Sequence, residues 1–177
     1  MSREVRLSHD AKPGAVRLRS EWRASDADLI VDLHRRGYAG EGARFGGHFP
    51  DYVARTVSDA NLGRDGYASR VWFAERATET LGCAAMIDRG RRGQLRWVVL
   101  IPEARGLGLG KALFDATMSH AAAQNWTEVF LETTSGLDAS MQLYQANGFI
   151  VTSDTEESLW GGPGRLIVMT RRLAAPE

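Results

Sequence analysis

From Val16 to Glu21, Val16 and Leu18 alternate with Arg17, Arg19 and Glu21, which predicts a strand ending near Trp22. The period then lengthens. Leu29, Ile30 and Leu33 share one face of a helix over about 26–36, with Ser25 or Asp26 as its cap and Gly37 as its stop. Glycines crowd 40–47, a loop, and Pro50 opens a second helix whose inner stripe is Tyr52, Val53 and Val57, closed by 61–66. Strand patterns follow at 69–75, 80–88 and 94–101, divided by short connections at 76–79 and 90–93. A helix over 108–124 turns Leu109, Ala112, Leu113 and Ala116 inward, a strand covers 128–132, and a helix over 138–146 stops at Asn147-Gly148. Strands at 149–153 and 165–173 close the chain. The order is β-α-α-β-β-β-α-β-α-β-β, an α/β fold with one mixed sheet flanked by helices. Residues 1–14 are polar with Pro13-Gly14 and read as a flexible leader; 15–173 form one domain.

Chemistry concentrates after the apolar run Val98 to Ile101 and its breaker, Pro102. Gly106, Gly108 and Gly110 alternate with Leu107 and Leu109 between Arg105 and Lys111, directly ahead of the long helix. Glycines let the main chain pass close to an anion, and a helix's first-turn N–H groups point outward at the positive end of its dipole. The stretch therefore reads as a diphosphate cradle. Its spacing is wrong for a nucleoside triphosphate loop, since Arg105 stands where the first glycine belongs and Ala112 replaces the metal-binding hydroxyl. It is also wrong for a dinucleotide fingerprint, because the third glycine comes one place early. A plain glycine-rich turn is the bland alternative, although one glycine would serve that purpose.

Composition narrows the partners. The 177 residues are 44% hydrophobic, enough for one well-formed core, and 22 basic residues balance 22 acidic ones. Such a balance excludes a general field for nucleic acid or anionic lipid. No apolar run is long enough to cross a bilayer and the start of the chain is charged, so a soluble cytoplasmic protein with no membrane partner is expected. The single Cys83 allows neither an internal disulfide nor a cysteine metal cluster and suits a small core residue. His9, His34, His48 and His120 show no ligand spacing, so no metal is expected and each reads as solvated or packed.

Arg105-x-x-Gly108-x-Gly110 after a strand and a proline resembles the acetyl-CoA motif of the GNAT family of N-acetyltransferases. The later segment Leu143-Tyr144-Gln145-Ala146-Asn147-Gly148-Phe149 is similar to that family's Leu-Tyr-x-x-x-Gly-Phe, in the expected place. The element order matches the GNAT fold over nearly all of 15–173. The resemblance implies acetyl-CoA as co-substrate, and a primary amine of a small molecule or peptide as acceptor, attacked directly in a ternary complex. Homodimers are common in the family. The main chain of Val98, Val99 and Leu100 would pair with the pantetheine arm, and Arg105, Gly106, Leu107, Gly108, Leu109, Gly110 and Lys111 would form the pyrophosphate site.

In the same resemblance Tyr144 would be the acid that protonates the departing sulfur, and Glu132, at the end of the fifth strand, the base. A phenol protonated at working pH can donate once as charge develops on sulfur, while an amine needs a proton removed before attack. Structural roles stay open for both: Tyr144 packed against Phe149, and Glu132 as a solvated strand-end carboxylate. The oxyanion would be held by a main-chain N–H of the fourth strand at a bulge near Leu100. Many family members have an asparagine seven residues before the tyrosine; Leu137 stands there, and the surrounding segment resembles GNAT domains fused to MarR-type regulators. Phe45, Phe49, Tyr52, Trp72 and Trp160 could wall the acceptor pocket, and Arg35, Arg36 and Arg44 could meet an acceptor carboxylate, though core packing and a solvated basic face explain the same residues. A non-catalytic acyl-CoA-binding or regulatory module, and transfer of longer acyl chains, are the competing functions.

Overall fold

A computed structural model describes residues 14–174. The leader expected at 1–14 lies outside the described residues except for Gly14. Element order follows the expectation: β1 (Val16–Arg19), α1 (Asp26–Gly37), a short 3-10 turn (Ala43–Phe45), α2 (Phe49–Ser58), β2 (Arg70–Arg76), β3 (Glu79–Asp88), β4 (Arg92–Leu100), α3 (Leu109–Ala122), β5 (Glu128–Thr134), α4 (Asp138–Ala146), β6 (Ile150–Leu159) and β7 (Gly162–Arg172), with a second 3-10 turn at Pro102–Ala104. The strands form one sheet in the order β1-β2-β3-β4-β5-β7-β6. Only β4 and β5 are parallel; every other neighbouring pair is antiparallel.

β2 and β3 are buried almost end to end, as strands covered on both faces must be. α3 packs across β2, β3 and β4, while α1 lies against β3 and β4 with α2 beside it. Phe73, Leu81, Met86 and Ile87 fill the sheet, and Leu113 and Phe114 pin α3 to it. The inward face of α3 is rotated from the expected one. Ala112 is exposed, and Phe114 goes in because its ring meets Tyr144 at 6.4 Å and Phe149 at 6.2 Å. None of the described helices is long and apolar enough to cross a membrane.

The alternation at the start of the chain predicts the strand but misplaces its inner face. Val16 and Leu18 are exposed and Arg19 is buried. The Arg19 guanidinium makes a fork to Asp26, Nη1 and Nη2 each 2.9 Å from a carboxylate oxygen, and its Nε donates to Glu75 at 2.6 Å. The fork also stacks over the Phe73 ring at 4.5 Å. Neither expected cap forms on α1: Ser25 has helical dihedrals and makes no side-chain cap, and Asp26 instead serves Arg19 and the Arg23 N–H. A buried cation is the stronger claimant on that carboxylate. Gly37 does not end α1 through a left-handed twist. A Cβ there would strike the Val99 side chain and stand 3.1 Å from the Leu100 carbonyl, so glycine lets α1 press on β4.

Both closing strands are longer than expected. β6 runs to Leu159 and β7 begins at Gly162, joined by Trp160 at φ 52° and Gly161 at φ 91°, the left-handed pair a two-residue hairpin requires. β6 is exposed on both faces through Ser158, so its sequence lacks the alternation that marks a half-buried strand.

Arg19→Met leaves Asp26 and Glu75 as buried carboxylates without their guanidinium and should cost about 3–5 kcal/mol, the range for breaking a buried ion pair. Thermal unfolding should show it as a fall in Tm on the order of 10 °C. Burial tends to raise the Glu75 carboxyl, but hydrogen bonds and charge from Arg19 and Arg17 outweigh burial and hold it below the usual carboxylate range. Glu75 therefore adds stability above its unfolded value of 4.5 and withdraws it as pH falls through the lower folded value. The acid limb of a stability–pH curve should flatten in Glu75→Gln.

Candidate active site

β4 and β5 pair only from Arg92–Glu128 to Leu95–Leu131, although β4 continues to Leu100 and β5 to Thr134. Beyond Leu95 the two strands part, and a wedge opens in the sheet with main-chain polar groups along its edges. A bulge sits at the same point. Cys83 faces Val99 but Ala85 faces Arg96, so Trp97 and Val98 together stand against Ala84. Trp97 takes φ 53°, a left-handed conformation that costs roughly 1–2 kcal/mol. Burial, donation from its Nε1 to Thr56 Oγ1 at 3.2 Å, and the Cys83 thiol on its carbonyl at 3.3 Å hold it there. The bulge is upstream of the expected Leu100, which pairs regularly with Gly82; the missing Cβ of Gly82 leaves room for the Val99 carbonyl and the Leu100 side chain.

Two cavities flank the wedge. One, of about 430 Å³, is lined by Val98, Val99 and Leu100 and by Arg105, Gly106, Gly108, Leu109 and Gly110 of the glycine turn. The other, of about 260 Å³, holds Tyr144 and Glu132. Tyr38, Val98, Leu137 and Ser140 line both.

In the glycine turn, Gly106 and Gly108 have φ 77° and 75°, and a Cβ on either would meet open space. Their requirement is conformational. The main-chain N–H groups from Gly106 to Lys111 find no hydrogen-bond acceptor among the described residues; Ala112 is the first to bond back, to the Gly108 carbonyl at 3.1 Å. The side chains of Leu107 and Lys111 do not line the cavity: Leu107 is exposed and Lys111 pairs with Asp115 at 2.6 Å. Arg105 is a brace. Its Nη2 donates to the Gly37 carbonyl at 2.5 Å and its Nη1 lies 3.4 Å from Glu41, tying the turn to the end of α1.

Tyr144 is buried where α4 meets the acceptor-side cavity, and its ring also packs 6.1 Å from Phe149. Burial pushes its phenol well above the usual tyrosine value, nearby Tyr38 adds to this, and a hydrogen bond with Ser140 opposes it. The hydroxyl therefore keeps its proton at any working pH. Glu132 is exposed at the cavity wall. Leu137, half-buried, places an apolar side chain between the two cavities. Cys83 is fully buried, lines neither cavity, and has its thiol pushed up by burial, so it does not suit a nucleophile.

Phe45, Phe49, Tyr52 and Trp160 come together in the cavity that holds Tyr144 and Glu132, while Trp72 lies elsewhere, with its ring 5.4 Å from His120 on α3. Arg44 is no free anion receptor: Nη1 donates to Thr134 Oγ1 at 3.2 Å and Nη2 to the Ser135 carbonyl, strapping the 3-10 turn across to the end of β5. Arg35 and Arg36 pair with Asp32 on the outside of α1. Among the described residues no cluster of His, Cys, Asp or Glu is placed to hold a metal ion.

Four of the lining residues that escaped the sequence reading bear on the site's chemistry. Tyr38 follows the end of α1, Arg96 precedes the bulge and donates to the Tyr52 hydroxyl at 3.0 Å, and Glu157 lies on the unrecognised half of β6. His34 is the fourth. Its position beside Leu33 on the inward face of α1 was the available signal. Burial lowers it to about 4, against an opposing hydrogen bond to Ile30 and with help from Arg96. A carbonyl can only accept, so the 2.8 Å contact with Ile30 fixes the proton of neutral His34 on Nδ1 and leaves Nε2 as an acceptor.

Residues 30–149 match the model of the acetyltransferase (GNAT) family, and the chain belongs to that family. It is 30% identical over 95 residues to human N-acetyltransferase 8B, an overlap of 50% of this chain and 42% of that protein. It is 27% identical over 151 residues to a mycothiol acetyltransferase of Thermobispora bispora, covering 77% of this chain and 47% of the relative. The chain thus spans less than half the length of either. The structure of yncA from Salmonella typhimurium with its cofactor acetyl-CoA superposes with a TM-score of 0.67 at 20% identity, over 92% of this chain and 98% of that one. The architecture is the mixed α/β GNAT fold.

Nitrogen NMR of the imidazoles should find His34 neutral, protonated on Nδ1, and without titration between about pH 5 and 8. Its folded value near 4 lies below the unfolded 6.5, so the unfolded chain takes up the proton first. His34 accordingly adds stability above pH 6.5 and withdraws it as pH falls toward 4.

Proposed function

We propose that this chain transfers the acetyl group of acetyl-CoA to a primary amine by direct attack in a ternary complex. The observation that carries this reading is the continuity of the wedge: unpartnered amides at one end, Tyr144 where the two cavities approach, and an acceptor cavity beyond. Bound acetyl-CoA would supply the acetyl group as a reactive thioester. The amides from Gly106 to Lys111 suit its diphosphate, because clustered N–H groups at a helix start favour an anion. The main chain of Val98, Val99 and Leu100, released from β5, suits the amides of the pantetheine arm.

Attack forms the nitrogen–carbon bond and breaks the carbon–sulfur bond, and the sulfur departs with the electron pair. Glu132 takes the proton the amine must lose, directly or through water, and Tyr144 donates to the sulfur. Burial keeps the phenol protonated, so its O–H is available to donate as charge develops on the departing sulfur. The bulge at Trp97–Val98 is the proposed source of the main-chain donor for the carbonyl oxygen. The deep burial of Cys83 favours direct transfer over an acyl-enzyme. Kinship with regulator-fused domains and homodimerisation rest on sequence resemblance alone.

Tyr144→Phe should lower kcat about 100-fold, a general-acid contribution, with acetyl-CoA affinity within about twofold by calorimetry. An unchanged kcat would make Tyr144 structural, whereas acetyl-CoA binding with no thiol release across an amine panel would favour the binding-module alternative. Gly108→Val forces a branched side chain to φ 75° and should weaken acetyl-CoA binding about tenfold or more while thermal stability falls only slightly.

A further inference from the structure

The acceptor cavity has one wall made of rings. Tyr38 stacks on Phe45 with centroids 4.7 Å apart, Phe49 lies 5.2 Å from Phe45 and 4.7 Å from Trp160, and Tyr52 lies 5.6 Å from Trp160. These rings come from the end of α1, the 3-10 turn, α2 and the β6–β7 hairpin, so the chain gathers them from four separate places. Trp160 is committed to the wall by its left-handed hairpin conformation. A continuous aromatic surface of this kind holds a flat apolar body by area and by edge-to-face contact.

Two carboxylates and an imidazole acceptor stand opposite this wall, among hydroxyls and the Gln94 amide that can donate or accept. Glu132 on β5 and Glu157 on β6 both line the cavity, and neither forms an ion pair among the described residues. Neutral His34 offers Nε2 as an acceptor. The one lining guanidinium, Arg96, is already engaged with the Tyr52 hydroxyl at 3.0 Å. Carboxylates facing an aromatic surface favour a cationic head on an apolar body and disfavour a second carboxylate beside the amine. The volume of about 260 Å³ suits a small molecule of one or two rings.

We propose that the acceptor is a small arylalkyl primary amine lacking a carboxylate, seated against the Phe45–Phe49–Trp160 wall with its ammonium drawn between Glu132 and Glu157. This rests on the acetyltransferase reading above and specifies its substrate. It gives Glu157 a positioning role, setting the amine toward Glu132, and makes Trp160 a specificity residue.

The test compares 2-phenylethylamine, phenylalanine, spermidine and a short peptide with a free amino terminus at saturating acetyl-CoA, following CoA release and the mass of the acetylated product. Phenylethylamine should exceed each of the others in kcat/KM by about tenfold or more. Trp160→Ala and the conservative Glu157→Gln should each raise its KM about tenfold while leaving the calorimetric Kd for acetyl-CoA within about twofold. Equal or better turnover of phenylalanine, spermidine or the peptide would overturn the substrate class but leave the acetyltransferase intact. Acetyl-CoA bound without turnover of any amine would overturn both the catalytic reading and this proposal, and absence of acetyl-CoA binding would remove the cradle as well. An unaltered KM in both variants would also overturn the proposal.

Discussion

The parting of β4 from β5 is the constraint on which the site depends. Two parallel strands that separate at Leu95 and Leu131 leave main-chain polar groups without ladder partners inside an otherwise complete sheet. Such groups are tolerated only where water or a ligand can meet them, so the fold sets a polar cleft through its own middle. The bulge at Trp97 keeps the strands from closing again, because the extra residue breaks the hydrogen-bond ladder on the other side of β4. Helix α1 rests on the same strand through Gly37, and Arg105 ties the end of that helix to the glycine turn. Strand, helix and turn are thus tied to one another around the wedge.

Burial then assigns the protonation states. His34 and Tyr144 are both enclosed, and both are driven to their neutral forms. Cys83 follows the same rule, which makes it a packing residue. The exception is Arg19, where Asp26 first, and then Glu75, compensate the cost of enclosing a cation. That charge cluster ties β1, α1 and β2 together. Charges inside the fold are thereby confined to a structural joint, while Glu132 and Glu157 stay exposed at the wall of the Tyr144 cavity.

The aromatic wall of the Tyr144 cavity is assembled from distant segments. The 3-10 turn brings Phe45, and Arg44 beside it holds the turn against the end of β5 through Thr134 and Ser135. The β6–β7 hairpin brings Trp160 from the other end of the chain. Each segment has its own local reason for its shape, and the wall exists because the sheet order places β6 and β7 beyond β5.

Sequence by itself determined the element order, the glycine turn ahead of α3, and the helix carrying Tyr144, because turn chemistry, periodicity and helix stops act over a few neighbouring residues. It also supplied the two motifs that named the family. Tertiary structure decided the rest. Arg19 went inside and Leu18 outside because a partner from β2 and another from α1 were waiting. β6 extended to Leu159 by pairing with β7, with no apolar alternation to announce it. The bulge sits at Trp97, held there by Thr56 and Cys83 from separate elements. Glu157, Tyr38, Arg96 and His34 reached the cavity through contacts between segments far apart in the chain. Local rules fix what a segment becomes; burial, charge pairing and strand register, which join remote segments, fix what it faces.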